Sequence, residues 1–125
     1  VDKRIPKYLQ TCDSAITPEC IRALYGIPKK PEYQGGPRSD NALGIAEFGD
    51  VYAQEDLDLF FANFTPYIPK GTGPTPVLID GSTAPTNVTD AGGESDLDFD
   101  LAYPLVWPQN ITLFQVWELH LYNQC

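Results

Sequence analysis

Apolar residues along this chain come in short runs, each cut off by proline, glycine or charge, and the spacing within each run assigns it a conformation. Asn41 to Gly49 holds a short apolar run closed by glycine, as in a buried strand. From Asp50 to Asn63 the apolar positions Leu57, Phe60 and Phe61 recur at helical spacing behind Glu55 and Asp56, two acids suited to the positive end of a helix. Pro76 to Asp80 is a second short apolar run, Ala91 to Tyr103 suits a helix, and Ile111 to Trp117 is rich in β-branched and aromatic residues. Nearer the start, Thr17 can cap a short helix over Pro18 to Tyr25, Pro18 fits its first turn and Gly26 ends it.

The chain therefore divides at about residue 40. Residues 1–40 form an N-terminal extended segment with a cysteine loop, in which Lys29 to Arg38, with two prolines and a Gly-Gly pair, is a surface connection. Residues 41–125 run β-α-β-α-β. That order implies an α/β fold with a parallel sheet, right-handed crossovers and helices on both faces. Three strands and two helices cover such a sheet poorly, so the rest of it is expected on a second polypeptide. No internal repeat or low-complexity tract is present.

Charge narrows the partners. Seventeen acidic against eight basic residues give a net charge of −9, which repels nucleic acid and anionic lipid. No apolar run approaches the roughly 18 residues of a membrane span. The chain begins at Val1 without an initiator methionine or apolar leader, so any signal or pro-segment is expected to be absent from it. Three sequons, at Asn63, Asn87 and Asn110, favour the secretory route, with Asn87 the best glycan acceptor and Asn110 shielded beside a strand.

Cys12 and Cys20, eight apart around Pro18, are expected to form a local disulfide, since nothing supplies the partners of a zinc site. Cys125 is then odd, and its expected partner lies on another chain. His120 is the only histidine, which excludes a His-based triad built from this chain, and it reads as structural. Trp107 and Trp117 read as packing residues.

The chemistry is concentrated in Gly92-Gly93-Glu94-Ser95-Asp96-Leu97-Asp98-Phe99-Asp100, where four carboxylates crowd a helix start. At about 100° per residue, Glu94, Asp98, Leu101 and Leu105 share a stripe about 60° wide. Two acids on an apolar stripe lose hydration and repel each other, so one is expected to keep its proton to higher pH, as a carboxyl base requires. Asp96 and Asp100 are explained by the helix dipole alone. Gly92 and Gly93 allow a tight turn and close approach to a substrate.

Gly-Gly-Glu-x-x-Leu-Asp followed by an aliphatic helix and a strand resembles the catalytic-helix motif of the sedolisins, the serine-carboxyl peptidases. The opening Cys12-x7-Cys20-Ile21-Arg22-Ala23-Leu24-Tyr25-Gly26-Ile27-Pro28 is similar to the start of the mature fungal members, and Asn41 to Phe48 resembles their first core strand. The resemblance implies part of a subtilisin-like sheet, completed by a second chain, and a secreted enzyme that hydrolyses peptide bonds at low pH. Glu94 would be the base for a nucleophilic serine and Asp98 would orient it.

The family's serine lies in a Gly-Thr-Ser motif far toward the C-terminus, and none of Ser14, Ser39, Ser82 or Ser95 has that context. The oxyanion aspartate and the calcium site also belong to the C-terminal part, so no metal ligand is expected here. The implied partner is a C-terminal heavy chain of the same precursor, and the substrate a peptide or protein. Two other classes compete. A glycoside hydrolase needs two carboxyls flanking a sugar, which one helical turn supplies poorly. A secreted, non-catalytic glycoprotein binding module would carry the acidic helix as solvated surface.

Overall fold

The computed structural model describes residues 5–28 and 37–117. The predicted elements all form, with boundaries shifted by a few residues: α1 (Pro18–Tyr25), β1 (Leu43–Phe48), α2 (Gln54–Phe64), β2 (Thr75–Ile79), α3 (Gly93–Val106) and β3 (Ile111–Val116). Two short 3-10 turns, Lys7–Leu9 and Val88–Asp90, were not legible in the pattern. Helix α3 runs one turn past the predicted stop because it accommodates Pro104 within its last turn.

Helix α1 starts and stops where its residues dictate. Thr17 accepts the Cys20 N–H, Pro18 occupies the first turn, and Gly26 takes a left-handed φ of 65° that a side chain would disfavour. The expected Cys12–Cys20 disulfide closes the loop ahead of it. Arg22, 5 % exposed, then fastens α1 to α3: its guanidinium donates to the carbonyls of Pro28, Pro104 and Leu105. A cation on the last carbonyls of α3 also suits the negative end of that helix.

The sheet is parallel, in the order β1-β3-β2, with β3 at its centre. Leu57 and Phe61 of α2, Phe99 and Tyr103 of α3, and Ile111 and Leu113 of β3 belong to one core cluster, so both helices cover the same face. Phe61 meets Tyr103 edge-on, and Tyr52 meets Phe99 likewise. The expectation of right-handed crossovers and helices on both faces is therefore corrected for the described residues. From β1 the chain passes over β3 to β2, then returns to β3 by the same face, so the two crossovers have opposite hands and one is left-handed, the rare hand. The other face carries Phe48, Phe114 and Val77, which are 68 %, 40 % and 41 % exposed.

Candidate active site

The return crossover delivers the N-terminus of α3 to the C-terminal end of β1, and this meeting creates the site. Glu47, next to the last residue of β1, points to the helix-covered face and is 5 % exposed. Its carboxyl is pushed up to about 7, by burial first, then by the charges of Asp98 and Asp50, hydrogen bonding to Asp98 and the charge of Glu94. Its Oε1 is buried with no hydrogen-bond partner among the described residues. Glu94 and Asp98 of α3, singled out from the sequence, thus gather around a third acid that the sequence reading missed. The signal was present in principle: a glutamate inside the apolar run Leu43–Phe48 stands where a strand residue is buried.

The placement of the pair on its helix differs from the expectation. Glu94 and Asp98 are exposed, while Ser95, Asp96, Phe99 and Tyr103 are buried, a stripe centred about 150° round the helix from Glu94. The aromatic rings of Phe99 and Tyr103 bury more apolar surface than Leu101 and Leu105, and they set the rotation of the helix. Asp96 and Asp100, explained from the sequence by the helix dipole, turn inward instead. Asp96 Oδ1 accepts the Ala53 N–H at 2.8 Å. Burial pushes the Asp96 carboxyl up to about 6, against the Ala53 bond that lowers it and with Asp56 and Asp50 adding to the rise. Asp100 is pushed up to about 7 by burial and by Asp96 and Asp56.

Asn63, Asn87 and Asn110 are all exposed, Asn110 included, which was expected to be shielded. The Asn110 amide instead donates to Thr75 Oγ1 at 3.0 Å. Trp107 packs against the core as expected, whereas Trp117 is 57 % exposed at the end of the sheet. It borders a cavity of about 130 Å³ shared with Gly49, Ser82 and Gln115. His120 and Cys125 lie outside the described residues. Among the described residues no group of three or more His, Cys, Asp or Glu side chains is arranged to hold a metal ion, and no helix is long and apolar enough to cross a membrane.

A strand-end glutamate facing a Glu-x-x-x-Asp helix start is a carboxyl cluster in which protons can be shared and passed on. Comparison with known proteins gives the family. Over 104 residues, 83 % of this chain and 16 % of the relative, the sequence is 64 % identical to aorsin of Aspergillus oryzae. It is 56 % identical over 105 residues to the tripeptidyl-peptidase sed1 of Aspergillus fumigatus, and 43 % identical over 111 residues to the tripeptidyl-peptidase SED1 of Arthroderma otae. These matches cover 83 % and 86 % of this chain and 16 % of each relative. The chain belongs to the sedolisin family of peptidases. It spans about one sixth of the length of these relatives. No family model matches the chain, and no solved structure does.

Proposed function

We propose that this chain supplies the acid half of a secreted serine-carboxyl peptidase that hydrolyses peptide bonds at low pH. The observation that supports this most is the convergence of Glu94 and Asp98 on the buried Glu47 at the end of β1. Glu94 takes the proton of the attacking serine as its oxygen bonds to the peptide carbonyl carbon. It returns that proton to the leaving amine as the C–N bond breaks, and then activates the water that releases the acyl product. Asp98 orients Glu94 and shares its proton, and Glu47 holds a further proton beneath the pair.

The serine, the oxyanion aspartate and the calcium site belong, on this reading, to a C-terminal heavy chain of the same precursor, with Cys125 bonded to it. That chain extends the sheet at its edges and covers the face that carries the exposed Phe48, Phe114 and Val77. The relatives named tripeptidyl-peptidases favour short peptides as products.

Intact mass before and after reduction tests the assembly: a larger polypeptide released by reductant supports it, and a lone folded chain overturns it. Peptide hydrolysis by the assembled enzyme at pH 3–4 and at pH 7 tests the chemistry. Glu94→Gln is expected to lower kcat by about 100-fold or more at acid pH. An unchanged rate would remove Glu94 from the chemistry, and no hydrolysis by the wild type at either pH would favour the non-catalytic binding module.

A further inference from the structure

Helix α3 lacks a local cap. Its N-cap residue is Gly92, with no side chain to accept the first N–H groups. The acceptor comes from the loop after β1 instead: Asp50 Oδ2 takes the N–H of Glu94 at 3.1 Å and of Ser95 at 3.0 Å, and Oδ1 takes that of Val51 at 3.1 Å. The Gly92 N–H donates to the Val51 carbonyl at 3.0 Å, so the two segments clasp each other. The loop is itself tied to the central strand, because the buried Gln115 of β3 donates to the Asp50 carbonyl at 2.8 Å.

Gly92 makes this possible by what it leaves empty. A Cβ there would lie 1.0 Å from Asp50 Oδ1. The backbone at Gly92, φ −95° and ψ 136°, is open to any residue, so the reason for glycine at this position is the space the carboxylate fills.

We infer that Asp50 is a positioning residue of the acid site: its carboxylate, seated in the place of a side chain at position 92, caps α3 from outside and fixes Glu94 over the end of β1. The inference rests on the peptidase reading above. It adds a second role, because the Asp50 carboxylate also stands beside the cluster and acts on Glu47 through its charge. The titratable groups facing Glu47 are Asp98 and Glu94 from α3 and Asp50 from the loop, with the neutral Gln115 beside them from β3. Asp50 thereby helps Glu47 keep its proton.

The test uses the assembled enzyme and three changes. Asp50→Asn keeps an amide oxygen for the Glu94 and Ser95 N–H groups but removes the charge. It is expected to keep kcat within a few-fold and to move the high-pH limb of kcat/KM to lower pH by about half a unit or more. Asp50→Ala removes the cap and is expected to lower kcat by about 10- to 100-fold, since small misplacements of a catalytic group cost that much. Gly92→Ala is expected to cost as much in the wild type and almost nothing further in the Asp50→Ala background, where the space is free. Hydrogen exchange at the Glu94 and Ser95 amides should rise in Asp50→Ala and in Gly92→Ala.

An unshifted pH limb in Asp50→Asn, a kcat unchanged in Asp50→Ala, or a Gly92→Ala cost equal in both backgrounds overturns the inference. Failure of the peptidase reading looks different: the wild type would then hydrolyse no peptide at acid pH. The exchange measurement would still decide whether Asp50 caps α3.

Discussion

Asp100 offers a direct test of how burial sets the behaviour of this protein with pH. It sits on α3 among Asp96 and Asp56, with Oδ1 buried and without a hydrogen-bond partner among the described residues. Its carboxyl is raised from an ordinary 3.8 to about 7. Below about pH 4 the folded and unfolded chains both hold this proton and Asp100 costs nothing. As the pH rises, the unfolded chain releases the proton first, so stability is lost progressively up to about pH 7. A fully buried group shifted this far would account for about 4 kcal/mol, but Asp100 keeps part of its surface in solvent, and screening reduces the figure to about 1–2 kcal/mol. Asp100→Asn has the same shape and no proton to lose. Denaturant unfolding of the assembled enzyme at pH 3.5 and pH 7.5 isolates the effect, because any packing cost of the amide appears at both. The variant should gain about 1–2 kcal/mol on the wild type at pH 7.5 relative to their difference at pH 3.5. Equal differences at the two pH values would refute the argument.

Three further outcomes are expected. Glu47→Gln mimics the protonated acid, so it should keep peptide hydrolysis within a few-fold at pH 4 while flattening that part of the pH–rate profile that falls as Glu47 ionises at about 7, read from kcat/KM between pH 3 and 8. Arg22→Ala leaves the last carbonyls of α3 and that of Pro28 without their charged donor, and should cost about 2–3 kcal/mol in denaturant unfolding at any pH from 4 to 8. Replacing Cys12 and Cys20 by serine should cost about 2 kcal/mol by freeing the loop in the unfolded chain, measured in the same way, with kcat unchanged.

Local signals carried most of the fold. The Thr17, Pro18 and Gly26 signals bounded α1 to the residue, and the apolar runs located three strands and two helices. What they could not carry was the face on which each helix lies, because the crossover hand depends on strand order rather than on either helix. For the site, residue type identified Glu94 and Asp98, but counting leucines rotated α3 wrongly. The helix is apolar on several sides, and Phe99 and Tyr103 decided which side was buried through contacts to Tyr52 and Phe61, distant in sequence. Glu47 and Asp50 escaped notice for a related reason. Each acts across 44 residues or more of chain, and nothing local to β1 announces its partner.

The raised carboxyls fall into two groups, and this bears on how the proposed acid optimum would be read. Glu47 stands with Glu94 and Asp98 at the candidate active site, while Asp96 and Asp100 stand with Asp56 between α2 and α3. Glu47 in the first group and Asp96 and Asp100 in the second hold protons in mildly acid solution and lose them between about pH 6 and 7. On the proposed reading, a fall in activity toward neutral pH would have two sources, ionisation at the candidate active site and strain between the helices that support it. Asp100→Asn separates them, since it removes the Asp100 share of the second and leaves the first untouched. The variant is expected to stay folded longer at pH 7.5 and still to lose peptide hydrolysis there in the first seconds of assay, before unfolding intervenes. Neutral-pH activity regained in those initial rates would mean that the acid optimum reports the stability of the α2–α3 contact, and that the carboxyls around Glu47 do not set it.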